Sequence, residues 1–501
     1  MKEKFYLTTP IYYVNDVPHI GHAYTTIAGD VLARYKRLQG FDVHYLTGTD
    51  EHGQKIWRAG GMNDAGAKKL VDEKVAGFKE AWKVLNISYD DFLRTTEKRH
   101  EKVVQAFFSQ MLANGDVYKG EYEGHYCVPC ESFWSNSELK EDDKGRKLCP
   151  DCSRETELLK EATYFFKLSK YEKPLLAHIE KHPEFIQPES RRNEILQFIK
   201  SSLRDLSVTR TAFPWGIPIP GDPKHVIYVW FDALINYVSA PGYPDSENYK
   251  KYWPADVHLM GKEIVRFHSV IWPAMLMSLN IPLPKVVFGH GWWTVEGKKM
   301  SKSKGNVVDP IALSKEFGVD AVRYFLMREV PFGGDGDFSR TSFIKRYNSD
   351  LANDIGNLLN RTLTMVGKYF DGVIPNPPDK ADDLAERAEA TNGLIRTHMN
   401  DLRFSQALEQ IWETINQANK YIEDKAPWKL DKAGKTKELE EVMYNLCRVL
   451  SVSAVLISPF MPETAQKMWQ QLGLKDKISL DAKIAGVKIN KGEPLFPRIQ
   501  T

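Results

Sequence analysis

The sequence has no uninterrupted run of the roughly 18 apolar residues that a membrane-spanning helix needs, which argues against an integral membrane protein. Its opening, MKEKFYLTTP, lacks the apolar centre of a secretory signal, so the expected location is the cytoplasm. Cysteine is scarce, five in 501 residues, too few for a disulfide-stapled scaffold. Net charge is only +2, so no overall basic excess advertises nucleic acid; such a partner would have to be met by a local basic surface. Internal repeats and low-complexity runs are also missing. What is present, 42% hydrophobic and 27% charged residues, is the composition of a folded chain of two to four domains rather than a disordered one.

Four of the five cysteines fall in one stretch, Cys127, Cys130, Cys149 and Cys152, as C-x2-C, eighteen residues, C-x2-C. Two paired thiolates at this spacing suit a tetrahedral zinc ion, and "CVPC" and "CPDC" set Pro where a tight knuckle wants it. Two disulfides are the alternative, but they need an oxidising compartment. Four sulfurs close the shell and leave no open position, so the metal is expected to staple a small lobe; His125 is a rival ligand that a full shell does not need. Cys447, in "VMYNLCRVL", reads as part of a buried helix.

"KFYLTTPIYY" reads as a strand, and from Ala23 a helix is expected, its apolar positions Ile27, Val31, Tyr35 and Leu38 recurring three or four apart until Gly40. "FDVHYLTGTDEHG" is a second strand. Such a unit belongs to a parallel sheet whose ligands bind at the carboxyl ends of strands and at the next helix N-terminus, where His19 and His22 fall. A helical stretch is expected to about Gly115, then the cysteine lobe as an insertion, then a Pro-rich return into "HVIYVWFDALINYV". Beyond Pro331, "DLANDIGNLLNRTLTMVGKYF", "RFSQALEQIWETINQANKYIED" and "LEEVMYNLCRVLSVSAVLISPF" predict an antiparallel helical bundle.

Paired histidines near a helix start are by themselves ordinary packing or surface residues. The stretch "VEGKKMSKSKGNVVDP", with Lys298, Lys299, Lys302 and Lys304, is by itself an ordinary solvated face. Together they suit nucleotidyl transfer, in which imidazoles and ammonium groups stabilise charge at the α-phosphate and on departing pyrophosphate.

In this order, His19-Ile20-Gly21-His22 and Lys299-Met300-Ser301-Lys302-Ser303 resemble the two signatures of the class I aminoacyl-tRNA synthetases. Further stretches, "TPIYYVND", "YLTGTDEHGQKI", "FIQPESRRNEI", "YVWFDALINY", "GKEIVRFHSVIWPAML" and "ANDIGNLLNR", are similar to the bacterial-type methionyl-tRNA synthetases over nearly the whole chain. The resemblance implies an α/β Rossmann-type parallel-sheet catalytic domain in two halves, 1–115 and 226–330, the second carrying the lysine loop. It also implies an inserted zinc-knuckle connective lobe, 116–225, and a stem-contact linker with an α-helical bundle anticodon-binding domain, 331–501.

The implied activity is ATP-dependent attachment of L-methionine to tRNA(Met) through a methionyl-adenylate, releasing pyrophosphate and AMP, with Mg2+ accompanying ATP and Zn2+ structural. His19, His22, Lys299 and Lys302 are the implied catalytic residues, and His19, Gly21, His22, Lys299, Met300, Ser301 and Lys302 the ATP contacts. Asp50 would take the methionine ammonium, and Ile11, Tyr13, Trp230, Ala233, Tyr237 and His268 its side chain. Asn357, Arg361 and Trp428 would read the CAU anticodon. Competing readings are another class I synthetase, a smaller adenylyltransferase, or a zinc-knuckle RNA-binding protein without turnover.

Overall fold

The β-rich stretches flanking the first helix become neighbouring strands of a parallel sheet in the computed structural model, which describes residues 2–14, 17–130, 132–134, 138–300, 305–378 and 383–500. Packing divides the chain into two units. The first comprises Met1–Pro18, Gln39–Lys83 and Ile87–His290, and the second His19–Leu38, Val84–Asn86 and Gly291–Thr501.

In the first unit, strands β1 (Lys4–Tyr13), β2 (Asp42–Asp50), β3 (Asp91–Arg94), β4 (Ile186–Gln187), β5 (Val257–Gly261) and β6 (Val287–His290) are all parallel, in the order β3-β2-β1-β5-β6-β4. Strands covered on both faces read as continuous apolar runs, and β5 is buried throughout. Chain order reverses between β1 and β5, which opens a crevice at their carboxyl ends. Two local features fit the strands to one another. The register of β1 on β2 shifts between Thr8 and Ile11, an irregularity that accommodates Pro10, which has no N–H to give. Gly48 lets β3 approach: a Cβ there would sit 2.0 Å from the Leu93 carbonyl oxygen.

The segment expected to be helical up to Gly115 contains the helices Asp64–Val84 and Lys98–Ala113, but β3 lies between them. Only Phe92 and Leu93 of that strand are buried, too short a run for strand alternation to register. Beyond it, Val117–Cys127 pairs antiparallel with Glu157–Phe166, and Leu206–Ser207 and Ser132–Trp134 flank them. The chain re-enters the main sheet as β4, within the interval read as an insertion.

The second unit holds the helices Ile20–Leu38, Val319–Arg328, Asn357–Tyr369, Asp383–Asn400, Phe404–Lys425, Thr436–Ile457 and Pro462–Gln471. Arg323, fully buried, ties several together: its guanidinium donates to Asp30 Oδ2 at 2.6 Å and to the carbonyls of Leu85, Pro459 and Phe460 at 3.1, 3.0 and 2.8 Å. Asp30 also accepts from Arg34 Nε at 2.7 Å. A buried carboxylate is tolerated only when paired and hydrogen-bonded in this way. Among the described residues, no helix is long and apolar enough to cross a membrane.

Candidate active site and tRNA-reading surface

Ile11, Tyr13 and Asp50 lie near the carboxyl ends of β1 and β2, beside the reversal of strand order; Ile11 pairs with Gly48 and Tyr13 with Asp50. Asp50 is buried, and the next residue anchors it. The Glu51 carboxylate accepts from Arg94 Nε at 2.7 Å and Nη2 at 2.9 Å, Thr49 Oγ1 at 2.6 Å and Thr96 Oγ1 at 2.7 Å. Its N–H donates to Thr95 Oγ1 at 3.0 Å, and its carbonyl accepts from Trp215 Nε1 at 2.7 Å. A carboxylate on so fixed a backbone is preorganised for a charge-assisted bond to an ammonium.

Trp230 and Ala233 are on the helix Val229–Leu234, and Tyr237 is on Asn236–Ser239. Trp230 stacks on Phe267 with centroids 4.0 Å apart. His268 sits in a π-helical turn, Phe267–Ile271, a distortion common at functional sites. Its Nδ1 donates to the Ile264 carbonyl at 2.9 Å, which leaves Nε2 to accept from the Tyr237 hydroxyl at 2.6 Å. Burial pushes His268 down to about 4, against the opposing backbone bond, so the ring is neutral. Aromatic faces and a neutral phenol–imidazole pair suit a polarizable, uncharged side chain.

In the second unit, the helix Ile20–Leu38 begins on a hydrogen bond from Ile20 N–H to the Val308 carbonyl, 3.1 Å, three residues before the apolar pattern starts. The His19 and His22 rings stack at 3.8 Å. His19 N–H donates to His22 Nδ1 at 3.3 Å, and Gly21 N–H to His19 Nδ1 at 3.1 Å. Both Nδ1 atoms are therefore acceptors, and both rings carry their proton on Nε2. Burial, reinforced by His19, holds His22 well below the usual imidazole range. The result is two neutral N–H donors at a helix N-terminus, suited to anionic oxygens. A Cβ on Gly21 would lie 3.0 Å from the His19 ring and 3.8 Å from Met300 Cε, which brings Met300 to this signature.

Trp293–Val295 and Lys298–Lys299 form a hairpin turning on Glu296 (φ 49°) and Gly297 (φ 72°); positive φ at both turn residues marks a type I′ turn. Asp337 Oδ1 accepts from Thr294 Oγ1 at 2.6 Å and Gly297 N–H at 2.8 Å. Lys299 Nζ lies 5.0 Å from the Trp292 ring centroid, and its carbonyl accepts from Asn306 Nδ2 at 3.2 Å. Ser301, Lys302 and Ser303 lie outside the described residues. Trp292, Asp337 and Asn306 escaped the sequence reading; the one local sign was an aromatic, Trp292, shortly before a lysine run.

The sulfurs of Cys127, Cys130, Cys149 and Cys152 lie within 4.8 Å of one another, with Cys127–Cys152 at 3.5 Å and Cys130–Cys149 at 3.9 Å, and could hold a metal ion. Donation from Cys130 outweighs burial and lowers Cys127 to about 5; burial, with the Cys127 charge, raises Cys149 to about 11. Donation to Cys127, with burial, raises Cys130 as well, so the charge rests on Cys127 and binding of a cation would release protons from its neighbours. His125 is outside the group and bonds Thr156 Oγ1 at 2.9 Å.

Leu351, Ile355, Leu358 and Thr362 are buried as their spacing predicts, although Tyr347–Gly356 is π-helical and only Asn357–Tyr369 is α-helical. Asn357 is exposed, and Arg361 Nη2 pairs with Glu423 Oε1 at 2.7 Å. The Phe404–Lys425 helix ends at Ala426 in the left-handed conformation (φ 44°), and Pro427 opens a new turn on which Trp428 is half-buried.

Residues 5–363 match the family model "tRNA synthetases class I (M)", and 383–488 match "Anticodon-binding domain of tRNA ligase". The chain is 55% identical to the methionine–tRNA ligase of Caldanaerobacter subterraneus subsp. tengcongensis, over 100% of this chain and 79% of that one. It is 51% identical to that of Bacillus subtilis, over 99% and 78%. A solved structure of Mycobacterium tuberculosis methionyl-tRNA synthetase in complex with methionyl-adenylate superposes with a TM-score of 0.96 at 43% identity, covering 99% of this chain and 100% of that one.

Proposed function

The chain belongs to the methionine-specific class I tRNA synthetases, and from this premise we infer that it joins L-methionine to tRNA(Met) with ATP through a methionyl-adenylate. The observation that carries this most strongly is its full-length likeness to a structure holding that intermediate. We assign 1–115 and 226–330 to the catalytic domain, 116–225 to a connective lobe, and 331–501 to the stem-contact and anticodon-binding region.

Asp50 binds the methionine ammonium, and Ile11, Tyr13, Trp230, Ala233, Tyr237 and His268 receive the thioether side chain. A methionine carboxylate oxygen attacks the α-phosphorus, the bond to the β-phosphate oxygen breaks, and pyrophosphate departs. The Nε2–H groups of His19 and His22, with Lys299 and Lys302, stabilise charge on the phosphate oxygens, while Gly21, Met300 and Ser301 complete the ATP contacts. A terminal ribose hydroxyl of tRNA then attacks the acyl carbon and releases AMP. Asn357 and Arg361 offer amide and guanidinium groups to base edges, and Trp428 a stacking face, the chemistry by which single-stranded loops are read.

Zinc fits the four cysteines: with Zn–S bonds near 2.3 Å, a tetrahedron has edges of about 3.8 Å, and the Cys127–Cys152 and Cys130–Cys149 sulfur separations of 3.5 and 3.9 Å bracket that value. Bound there, it supplies a fixed cross-link and no open position. Mg2+ would accompany ATP, offsetting charge on its triphosphate. A cytoplasmic setting accords with five unbridged cysteines.

Methionine-dependent ATP–pyrophosphate exchange tests the reading. His22→Ala is expected to slow exchange by about a hundredfold, the scale of losing one preorganised donor, with methionine binding nearly unchanged. Exchange indifferent to methionine would overturn the function, and full activity in the variant would overturn the role of His22.

A further inference from the structure

Behind the residues assigned to methionine runs a buried polar chain that no step above uses. His52 Nδ1 bonds Asp232 Oδ2 at 2.6 Å, His100 Nε2 bonds Asp232 Oδ1 at 2.6 Å, and His100 Nδ1 bonds Ser239 Oγ at 2.7 Å. Asp232 and His100 are 0% exposed, Ser239 1% and His52 5%. Three of its four members sit on, or just beyond, an element that carries a residue assigned to the methionine substrate. His52 follows Asp50 by two residues in the turn after β2, Asp232 lies between Trp230 and Ala233, and Ser239 shares a helix with Tyr237.

We propose that His52, Asp232, His100 and Ser239 form a brace that fixes the Asp50 turn, the Trp230–Ala233 helix and the Tyr237 helix in one arrangement, and thereby sets the affinity for methionine. The proton count supports an ordered chain. His100 Nε2–H donates to one Asp232 oxygen and His52 Nδ1–H to the other, so a carboxylate with two acceptor oxygens suits position 232, while Ser239 Oγ meets His100 Nδ1 and also lies 3.4 Å from the Asn236 carbonyl. An asparagine fills the same volume but presents one acceptor and one NH2, and would turn a donor against a donor. Charge agrees with this geometry: burial alone would lower His52, yet Asp232, Glu51 and Glu101 bring it above the usual imidazole value, and burial alone would raise Asp232, yet His52 and His100 hold it below the usual carboxylate value. A purely stabilising network could join any elements. This one joins the three that meet the substrate and contributes no atom to it, which makes its members positioning residues.

The inference rests on the assignment of Asp50 to the ammonium, and the experiment separates the two. Full-length variants are compared in methionine-dependent ATP–pyrophosphate exchange, with folding checked by near-UV circular dichroism. Asp232→Asn is expected to raise KM for methionine at least about tenfold, the lower end of what removing an orienting partner behind a binding group costs, while kcat and KM for ATP stay within about twofold. His52→Asn keeps an N–H donor near the place of Nδ1 and is expected to stay within about threefold of the parent, whereas His52→Gln offers its amide one bond further out and should behave like Asp232→Asn. A fall in kcat with unchanged methionine KM in Asp232→Asn, or equal behaviour of the two folded His52 variants, overturns the brace; should Asp232→Asn not fold, the His52 pair decides alone. Asp50→Asn is run alongside. An unchanged methionine KM there overturns the substrate assignment and the brace with it, while a raised KM in Asp50→Asn beside an unchanged one in Asp232→Asn overturns the brace only.

Discussion

Replacing His268 by Gln turns the protonation of the pocket proposed for methionine into a stability measurement. Burial holds His268 at about 4 in the folded chain, against about 6.5 for a free imidazole. A base whose folded pKa lies below its unfolded value takes up its proton only on unfolding. Its contribution is intact above the unfolded value, is lost as pH falls through the interval, and levels off below the folded value. Each tenfold in that equilibrium is worth about 1.4 kcal/mol, so between pH 7 and pH 5 this residue removes about 2 kcal/mol. Gln is neutral throughout, and its amide oxygen can still accept from the Tyr237 hydroxyl. His22 and His258 are lowered by burial too, so the parent loses stability on acidification through them as well. The quantity to read is therefore a difference. In urea unfolding followed by tryptophan fluorescence, the parent is expected to lose about 2 kcal/mol more than His268→Gln between pH 7 and pH 5. Equal losses would refute the argument, because His268 would then carry its proton in the folded chain and could not accept from Tyr237.

Three further outcomes are expected. Metal analysis of the purified chain should find one zinc per molecule, lost when Cys127 and Cys149 are both changed to Ser; zinc retained in that variant would refute the four-sulfur site. Arg323→Leu leaves Asp30 with Arg34 and abandons three carbonyls, so urea unfolding should show a loss of about 3–5 kcal/mol, the scale of breaking a buried pair; a loss below about 1 kcal/mol would mean that the network is replaceable. Trp428→Ala should lose about 1–3 kcal/mol of tRNA recognition in aminoacylation of a CAU-anticodon tRNA, the size of one base stack, with pyrophosphate exchange unchanged; an equal fall in both reactions would make Trp428 structural.

Where the sequence was legible, a local period or spacing carried the signal. β1 and β2 are runs of β-formers, the stripe Leu351, Ile355, Leu358 and Thr362 follows a helix face, and the two C-x2-C pairs converge into one group of four sulfurs. What stayed hidden depends on partners distant in the chain. The helix expected from Ala23 starts at Ile20 because Val308, nearly three hundred positions on, supplies the carbonyl that receives its first N–H. β4 is two residues long and exists as a strand only because Val287 and Phe288 lie beside it. The π-helical turns at Phe267–Ile271 and Tyr347–Gly356 have no period that an eye set to 3.6 residues can separate from an α-helix. His52 and Asp232 stood within stretches that resemble the family, but nothing near His100 marks it as their partner.

The histidines make the same point about chemistry. Composition counts thirteen of them as one residue type with one ordinary pKa. In the fold, His19 and His22 receive backbone N–H groups on Nδ1 and keep their proton on Nε2, whereas His268 gives its Nδ1 proton to a carbonyl and keeps Nε2 as an acceptor. His52 faces a buried carboxylate and is pushed toward the cationic form. An Nε2–H donor at a helix N-terminus, an acceptor for a phenol and a partner for a buried charge are thus made from one side chain by choosing which ring nitrogen meets which backbone or carboxylate group. That choice is set by the placement of strands and helix ends, so a motif in the sequence can show where an imidazole works while the fold decides which proton it holds.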